Sequence, residues 1–183
     1  MKKILSTFAL VAFIGSANAA NFIELAYDNV NANPSSRDGT AQTLRAGKDV
    51  GAVNLGLQVK TRTMDTGGIK NTVEVNLGKE FDLAGIRVKP FAGVGHDNGT
   101  GSTGSGFEYG IVGLAAGTKL SVFNVGASVK NRINWQNNTP EQTVVSAFVG
   151  YPFTKDFEAR VNIGQSFRDI KEKTIGGALV VKF

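Results

Sequence analysis

Apolar and polar residues alternate with a period of two along most of the chain after residue 20. In the clearest run, Val53, Leu55, Leu57 and Val59 alternate with polar or small residues. Similar runs recur at 72–77, 86–94, 123–130 and 157–164. Successive side chains of a β-strand point to opposite faces of the sheet, so this period indicates strands with one apolar face. No segment has a sustained helical period, and the sequence therefore predicts an all-β fold.

Turn-forming residues separate the alternating runs. Stretches rich in Gly, Asn, Asp and Pro, such as 33–39 and 65–68, tolerate tight or left-handed backbone. Runs and turns together predict about ten strands. Their spans are 21–29, 41–49, 52–63, 70–80, 86–96, 107–117, 120–134, 142–152, 156–168 and 174–183.

The faces of the strand at 107–117 are ambiguous. Phe107, Tyr109 and Ile111 favour one face, whereas Val112 and Leu114 favour the other, and a β-bulge could reconcile them. Merging this run with its neighbour would give an odd strand count and would move the C-terminus to the opposite end of the sheet. Even parity therefore favours ten strands, with eight as the alternative.

The connections between the predicted strands are of two kinds. Those after the odd-numbered strands are polar and mostly longer. The first and third of these polar connections, after the first and fifth strands, exceed about ten residues. Those after the even-numbered strands are tight turns, at 49–51, 82–85, 118–119 and 154–155. Long connections at one end and short turns at the other are typical of up-and-down barrels in bacterial outer membranes.

Alternation alone would also fit a soluble sandwich, in which the apolar face points inward. Strands of roughly ten residues match a tilted membrane crossing, whereas soluble strands average about five or six. Aromatic residues also gather near the predicted strand ends, where membrane barrels carry girdles of rings. They are Phe81, Tyr151, Phe153, Phe157 and Phe183 at the short-turn end, and Tyr27, Phe107, Tyr109, Trp135 and Phe167 at the other end. These features favour apolar faces that meet lipid.

The last predicted strand alternates through Leu179 and Val181 to a terminal Phe183. This ending resembles the C-terminal signature of bacterial outer-membrane barrels. In organisation the chain resembles the small barrels of the opacity-protein and outer-membrane-protein-A class, which commonly have eight strands. The resemblance implies a closed antiparallel up-and-down transmembrane β-barrel surrounded by outer-membrane lipid. It also implies that Phe183 is an assembly signal read by the barrel-assembly machinery.

The first 19 residues have the organisation of a cleavable signal peptide. Lys2 and Lys3 precede an apolar run at 4–14, and Ala-Asn-Ala at 17–19 fits the small-x-small cleavage rule. A membrane anchor is the alternative, but the run is too short to cross about 30 Å of hydrocarbon. We therefore expect a signal peptide at 1–19 and an outer-membrane β-barrel at 20–183, located in the outer membrane of a Gram-negative-type envelope.

Taken literally, the alternation places many charges inside the barrel. Such charges must be paired or hydrated, because an isolated buried charge costs several kcal/mol. The predicted inward-facing charges are Glu24, Arg45, Lys60, Arg62, Glu74, Glu80, Arg87, Lys89, Glu108, Lys130, Arg132, Glu158, Arg160, Arg168 and Lys182. Reflection across the hairpin turns predicts three pairs, namely Lys60–Glu74, Glu80–Arg87 and Glu108–Lys130. The pairs could fill the interior, as in narrow barrels, or the excess of bases could line a small pore.

The sequence offers little support for catalysis or for nucleic-acid binding. The chain has no Cys, which excludes disulfides, thiol nucleophiles and Cys-ligated zinc. A single His96 lies beside Asp97, which could orient a base, but no pattern places a serine nucleophile near it. The net charge of +5 falls to +3 without Lys2 and Lys3, and the remaining basic residues are dispersed. We expect no catalytic residue, cofactor, metal site or nucleic-acid partner.

The sequence is compatible with three functions. The first is a non-enzymatic outer-membrane barrel with a structural or surface-interacting role. The alternatives are a small passive channel with weak anion preference, and an adhesin or surface receptor whose extracellular partner is unknown. The limited loop length argues against a large adhesive surface, because such barrels place binding function on long extracellular loops.

Overall fold

Eleven strand segments follow one another along the described part of the chain, with one 3-10 turn at Ser35–Arg37. The computed structural model describes residues 21–33, 35–100, 106–135, 142–168 and 171–183. The predicted signal peptide lies outside the described residues. The strands are β1 Phe22–Asn33, β2 Gly39–Val50, β3 Val53–Met64, β4 Ile69–Gly78, β5 Phe81–Leu83, β6 Ile86–Thr100, β7 Phe107–Leu120, β8 Phe123–Asn134, β9 Gln142–Pro152, β10 Phe157–Arg168 and β11 Lys171–Lys182.

β4 and β5 are two parts of one crossing. Both pair with β6 in a continuous register, with Gly78 opposite Phe91 and Phe81 opposite Val88. The interruption lies opposite Pro90, which has no N–H to donate to the ladder. The chain therefore crosses the sheet ten times, as predicted, and the alternative of eight strands is wrong.

Pairing between the first and last strands closes the sheet into a barrel. β1 pairs antiparallel with β11 over its whole length, from Phe22 opposite Lys182 to Asn33 opposite Lys171. Beyond this ladder, Asn21 and Phe183 exchange two backbone hydrogen bonds of 3.2 and 3.0 Å. Each other crossing pairs with its neighbours along the chain. The predicted closed antiparallel up-and-down barrel is confirmed. Among the described residues, no helix is long and apolar enough to cross a membrane.

The connections fall at two ends of the barrel. The short-turn end carries residues 51–52, 84–85, 121–122 and 153–156 together with Asn21 and Phe183, and the loop end carries the other connections. The predicted turn at 118–119 is wrong, because β7 continues to Leu120 and the chain reverses at Ser121, which has a φ of 54°. The expectation of two connections longer than ten residues is also wrong. β1 extends to Asn33 and β6 to Thr100, so these connections shorten to 34–38 and 101–106.

The two faces of the barrel have opposite polarity, with the apolar face outward. Leu25, Val75 and Leu179 are 61, 40 and 58% exposed, whereas Glu24 and Glu74 are each only 2% exposed. A soluble barrel buries its aliphatic side chains and exposes its carboxylates, so this arrangement is the reverse. It matches the faces that the sequence alternation predicts for a lipid-facing barrel.

Exposed aromatic rings surround both ends of the barrel. They are Phe81, Phe123, Tyr151, Phe153, Phe157 and Phe183 at the short-turn end, and Trp135 and Phe167 at the loop end. Tyr27 was also predicted to lie at the loop end, but β1 continues to Asn33, so its exposed ring lies near the middle of the strand. Tyr109 was predicted to belong to the second girdle but is 1% exposed. Phe107 has the same parity in β7, and its ring lies 5.9 Å from that of Tyr109. These two rings therefore belong to the interior.

Candidate functional site

Glu74 is the hub of the polar interior. From β4 it accepts hydrogen bonds from Lys130 Nζ at 2.5 Å, Arg132 Nη2 at 2.7 Å, Tyr109 Oη at 2.9 Å and Gln58 Nε2 at 3.2 Å. Lys130 and Arg132 lie on β8, and β6 and β7 separate β8 from β4 in the sheet. Their contacts with Glu74 therefore reach across the lumen.

Arg160 is a second hub, nearer the short-turn end. Its Nε donates to Glu158 at 2.5 Å and its Nη1 donates to Glu24 at 2.8 Å. Lys182 Nζ also donates to Glu158, at 2.8 Å, and Arg45 pairs with Glu24. Three basic residues thus neutralise two buried carboxylates, which satisfies the requirement that buried charges be paired and hydrogen-bonded.

Gln58 joins the two hubs into one network. It accepts a hydrogen bond from Arg45 Nε at 3.0 Å and donates to Glu74. On the other side, Arg132 donates to Gln142 at 2.9 Å and lies 3.9 Å from Asp97. The network then includes one side chain from each of the ten crossings, namely Glu24, Arg45, Gln58, Glu74, Asp97, Tyr109, Arg132, Gln142, Arg160 and Lys182.

A cavity of about 380 Å³ remains beside the network. Its charged lining residues are the bases Arg45, Lys60, Lys89, Lys130, Arg132 and Arg160, and the acids Glu24, Asp28, Glu74 and Glu172. Within the described part of the chain, neither Lys60 nor Lys89 has a carboxylate oxygen within 4 Å. The cavity therefore carries an excess of positive charge.

The structure places most of the predicted lumen charges on the inner faces. These residues are Glu24, Arg45, Lys60, Arg62, Glu74, Lys89, Lys130, Arg132, Glu158, Arg160 and Lys182. Arg62 pairs with Glu172 near the loop end. Three predicted residues lie at the rims instead. Glu80 and Arg87 form an exposed pair of 3.9 Å at the short-turn end, and Arg168 is exposed at the loop end.

Glu108 was predicted to face the lumen and to pair with Lys130, and both expectations are wrong. Tyr109, its neighbour in β7, points inward and is buried, so the pleat directs Glu108 to the outer face, where it is exposed. The residue opposite Lys130 in the ladder is Gly113. Val112 and Leu114 share the outer face with Glu108, so β7 needs no bulge at this point.

The predicted Lys60–Glu74 pair is also wrong, because the register differs from the reflection used to predict it. Met64 donates its N–H to the Gly68 carbonyl, and this turn places Lys60 opposite Thr72 and Gln58 opposite Glu74. The Glu74 carboxylate consequently meets Gln58 within its hairpin. Its cationic partners come from β8 instead.

Sequence reasoning missed several inward-facing residues. Asp28, Lys70, Asp97, Tyr109 and Glu172 were not among the predicted lumen residues. Lys70 and Asp97 form a 2.8 Å pair, and Thr72 donates to Asp97 at 2.9 Å. For Asp28, Lys70, Asp97 and Glu172, the signal that could have found them is the same period of two, extended in phase from Glu24, Glu74, Lys89 and Lys182. Tyr109 had no such signal, because its neighbour Glu108 was assigned to the inner face.

His96 and Asp97 do not form a catalytic pair. The pleat of β6 sends Asp97 inward, where it is 1% exposed, and leaves His96 exposed on the outer face. In the described ranges, no three His, Asp or Glu residues are grouped so that they could hold a metal ion. Among these residues, the buried chemistry therefore consists of ion pairs and hydrogen bonds.

Solved bacterial outer-membrane barrels share this fold. The outer-membrane protease OmpT from Escherichia coli has a TM-score of 0.56 and 10% identity, covering 93% of this chain and 100% of that one. The β domain of the Bordetella autotransporter BrkA has a TM-score of 0.55 and 12% identity, covering 90% and 99%. Neisserial surface protein A has a TM-score of 0.45 and 12% identity, covering 92% and 99%.

No family model matches the sequence, and no curated protein matches it. At 10–12% identity, the structural likeness establishes the fold alone. The chain therefore has the fold of bacterial outer-membrane β-barrels.

Proposed function

We propose that this chain is an integral outer-membrane β-barrel without enzymatic activity, whose filled interior suits it to a structural or surface-interacting role. The observation that carries the proposal is the interior network with side chains from all ten crossings. Contacts that cross the lumen tie distant strands together, which favours a rigid barrel over an open conduit.

The energetic cost of breaking the network supports a closed interior. Removing one partner from a buried ion pair costs about 3–5 kcal/mol, because the remaining charge is left uncompensated. A continuous path past Glu74 would require Lys130 and Arg132 to leave it together. Side chains fill barrels close to this size, whereas markedly larger barrels open into channels.

The outer surface supports a membrane location. Contiguous exposed apolar patches of more than a few hundred Å² are rare on soluble monomers. Here exposed aliphatic residues cover the outer faces of the strands, between rings at both ends. Outer-membrane lipid is therefore the proposed surrounding, with the barrel-assembly machinery as a partner during biogenesis. The Phe183 ring is 54% exposed at the short-turn end, and its role as an assembly signal stays a prediction.

The absence of catalysis is part of the proposal. The protease OmpT shares the fold but only 10% of its residues, so its activity does not carry over to this chain. The separation of His96 from Asp97 removes the pair that the sequence suggested as a base and its orienting group. An outer-membrane enzyme of this barrel type would need His, Asp, Glu or Ser side chains clustered at the loop end, where they could contact a substrate.

A passive channel with weak anion preference is the second candidate. The cavity of about 380 Å³ and its excess of basic residues favour this function. An adhesin or surface receptor is the third candidate. The short connections at 34–38 and 65–68 provide little surface for that role.

Planar-bilayer recording of the refolded barrel tests the proposal. We expect no steady single-channel current from the native chain. A Lys130→Ala and Arg132→Ala double variant should conduct, because it removes the side chains that cross the lumen. The matched control is Glu80→Ala with Arg87→Ala, an exposed pair at the rim that should leave the barrel closed. A steady, anion-selective current from the native chain would instead establish the channel.

A further inference from the structure

Two lysines stand out on the outer face at the loop end. Lys171 and Lys173 are both exposed and alternate with inward-facing residues of β11. Within the described strands, the other outward-facing residues at this end are uncharged apart from Glu108 on β7, with β8, β9 and β10 between β7 and β11. Among the described residues, no carboxylate oxygen lies within 4 Å of either lysine; the carboxylate of Asp38 instead accepts a hydrogen bond from the Ala32 N–H on β1.

The neighbours of the two lysines are neutral and polar. Lys173 is opposite Asn31 of β1 and Gln165 of β10, and Lys171 is opposite Asn33. Alternate residues of a strand lie on the same face, so the side chains of Lys171 and Lys173 are neighbours, with Cα atoms about 7 Å apart. Two adjacent ammonium groups flanked by amides form a surface that attracts a compact anion.

A groove opens on the outer face of the barrel toward the short-turn end from these lysines. It has a volume of about 680 Å³ and its outward-facing walls include Leu25, Tyr27, Leu44, Val59 and Leu179. Gly177, opposite Tyr27, forms part of it and bears no side chain that would fill it. Gly177 follows Lys173 by four residues of β11, about 13 Å along the strand. That distance fits within the half-thickness of a hydrocarbon core, about 15 Å.

We infer that this surface binds a lipid with a phosphate monoester headgroup, which lies on Lys171 and Lys173 while an acyl chain occupies the groove at Gly177. The inference rests on the proposed membrane location. A phosphate monoester carries close to two negative charges at neutral pH, which matches two neighbouring lysines that have no carboxylate partner within 4 Å among the described residues. The adjoining groove favours a lipid over a soluble anion, because most of its outward-facing walls are apolar and only Gln42 and Thr61 among them are polar.

Binding to the refolded barrel in zwitterionic detergent micelles tests the inference. The probe is lipid A, which carries phosphate monoesters, and the measurement is isothermal titration calorimetry. Phosphatidylcholine and inorganic phosphate serve as comparison ligands. We expect Lys171→Gln with Lys173→Gln to weaken lipid A binding roughly thirtyfold, the effect of two basic residues near an anionic surface. Lys119→Gln with Lys155→Gln removes two exposed lysines at the short-turn end and should leave binding unchanged.

A second variant separates a lipid from a free anion. Gly177→Leu fills the groove, and a Cβ there would meet only the Arg160 carbonyl oxygen, at an ordinary 3.6 Å, so the barrel should fold. We expect it to weaken lipid A binding while Lys171 and Lys173 remain in place. Equal binding of inorganic phosphate and lipid A, or native affinity in either test variant, would overturn the inference. This binding assay uses micelles and not a bilayer, so a negative result would not contradict the membrane location. The membrane location is tested separately by the vesicle experiments on Val75 and β4.

Discussion

Replacing Glu74 with Gln is expected to destabilise the barrel by about 3–5 kcal/mol. Glu74 is 2% exposed and accepts hydrogen bonds from Lys130, Arg132 and Tyr109. An amide keeps the shape of the side chain but removes the charge that compensates two buried cations. Reversible urea unfolding in detergent micelles or lipid vesicles, followed by the fluorescence of the single Trp135, measures the change.

The matched control for Glu74 is Glu80→Gln. Glu80 also lies on the fourth crossing and also pairs with a basic residue, Arg87, but at 3.9 Å and with 45% of its side chain exposed. Exposed ion pairs contribute about 0–1 kcal/mol, so this variant should be close to native. Equal effects of the two substitutions would contradict the assignment of Glu74 as the hub of the interior.

Replacing Val75 with Arg is expected to cost about 2–4 kcal/mol in a bilayer, the range for a cation on the lipid face near mid-depth. Val75 follows Glu74 in β4, is 40% exposed and lies on the outer face. The guanidinium would have to leave water for hydrocarbon, with no partner among its aliphatic neighbours. Vesicle unfolding under the conditions used for Glu74 measures this change directly.

The depth of the substitution provides the control for Val75. Leu83→Arg places the same cation on the outer face at the short-turn end, where Leu83 is 60% exposed beside the turn at 84–85. The cost near the membrane interface falls to about 0–1 kcal/mol. A harmless Val75→Arg together with an unfolded Glu74→Gln would indicate water on the outer face, and a soluble periplasmic sandwich would then explain the chain better.

The architecture could be predicted from the sequence because each strand presents one apolar and one polar face. That single rule locates the ten crossings and their polarity. It fails locally where small residues weaken the pattern. In β7, Gly110 and Gly113 carry no signal, so the side chains of Glu108 and Tyr109 were assigned to the wrong faces. It also cannot reveal the interruption at residues 79–80 of the fourth crossing, because its cause, Pro90, lies on the partner strand.

The interior network was less predictable than the fold. Reflection across a hairpin finds only partners on adjacent strands and depends on the register of one turn, which differed at residues 65–68. The strongest contacts of Glu74 are with residues 56 and 58 positions away, on a strand brought near only by closure of the barrel. Closure brings together side chains that no local pattern relates. The charges on the inner faces could thus be predicted, but most of their partners could not.

A spin-label scan of β4 in lipid vesicles tests the central claim, a membrane barrel with its polar face inside, most directly. The chain has no Cys, so each label can be placed alone, at Thr72, Val73, Val75, Asn76 or Leu77. Collisions with oxygen, which concentrates in hydrocarbon, should be frequent for labels at Val73, Val75 and Leu77 and rare at Thr72 and Asn76. The reverse phase would place the polar face against lipid. Uniformly low oxygen collisions with high access to a water-soluble quencher at Val73, Val75 and Leu77 would show that the strand does not cross the membrane.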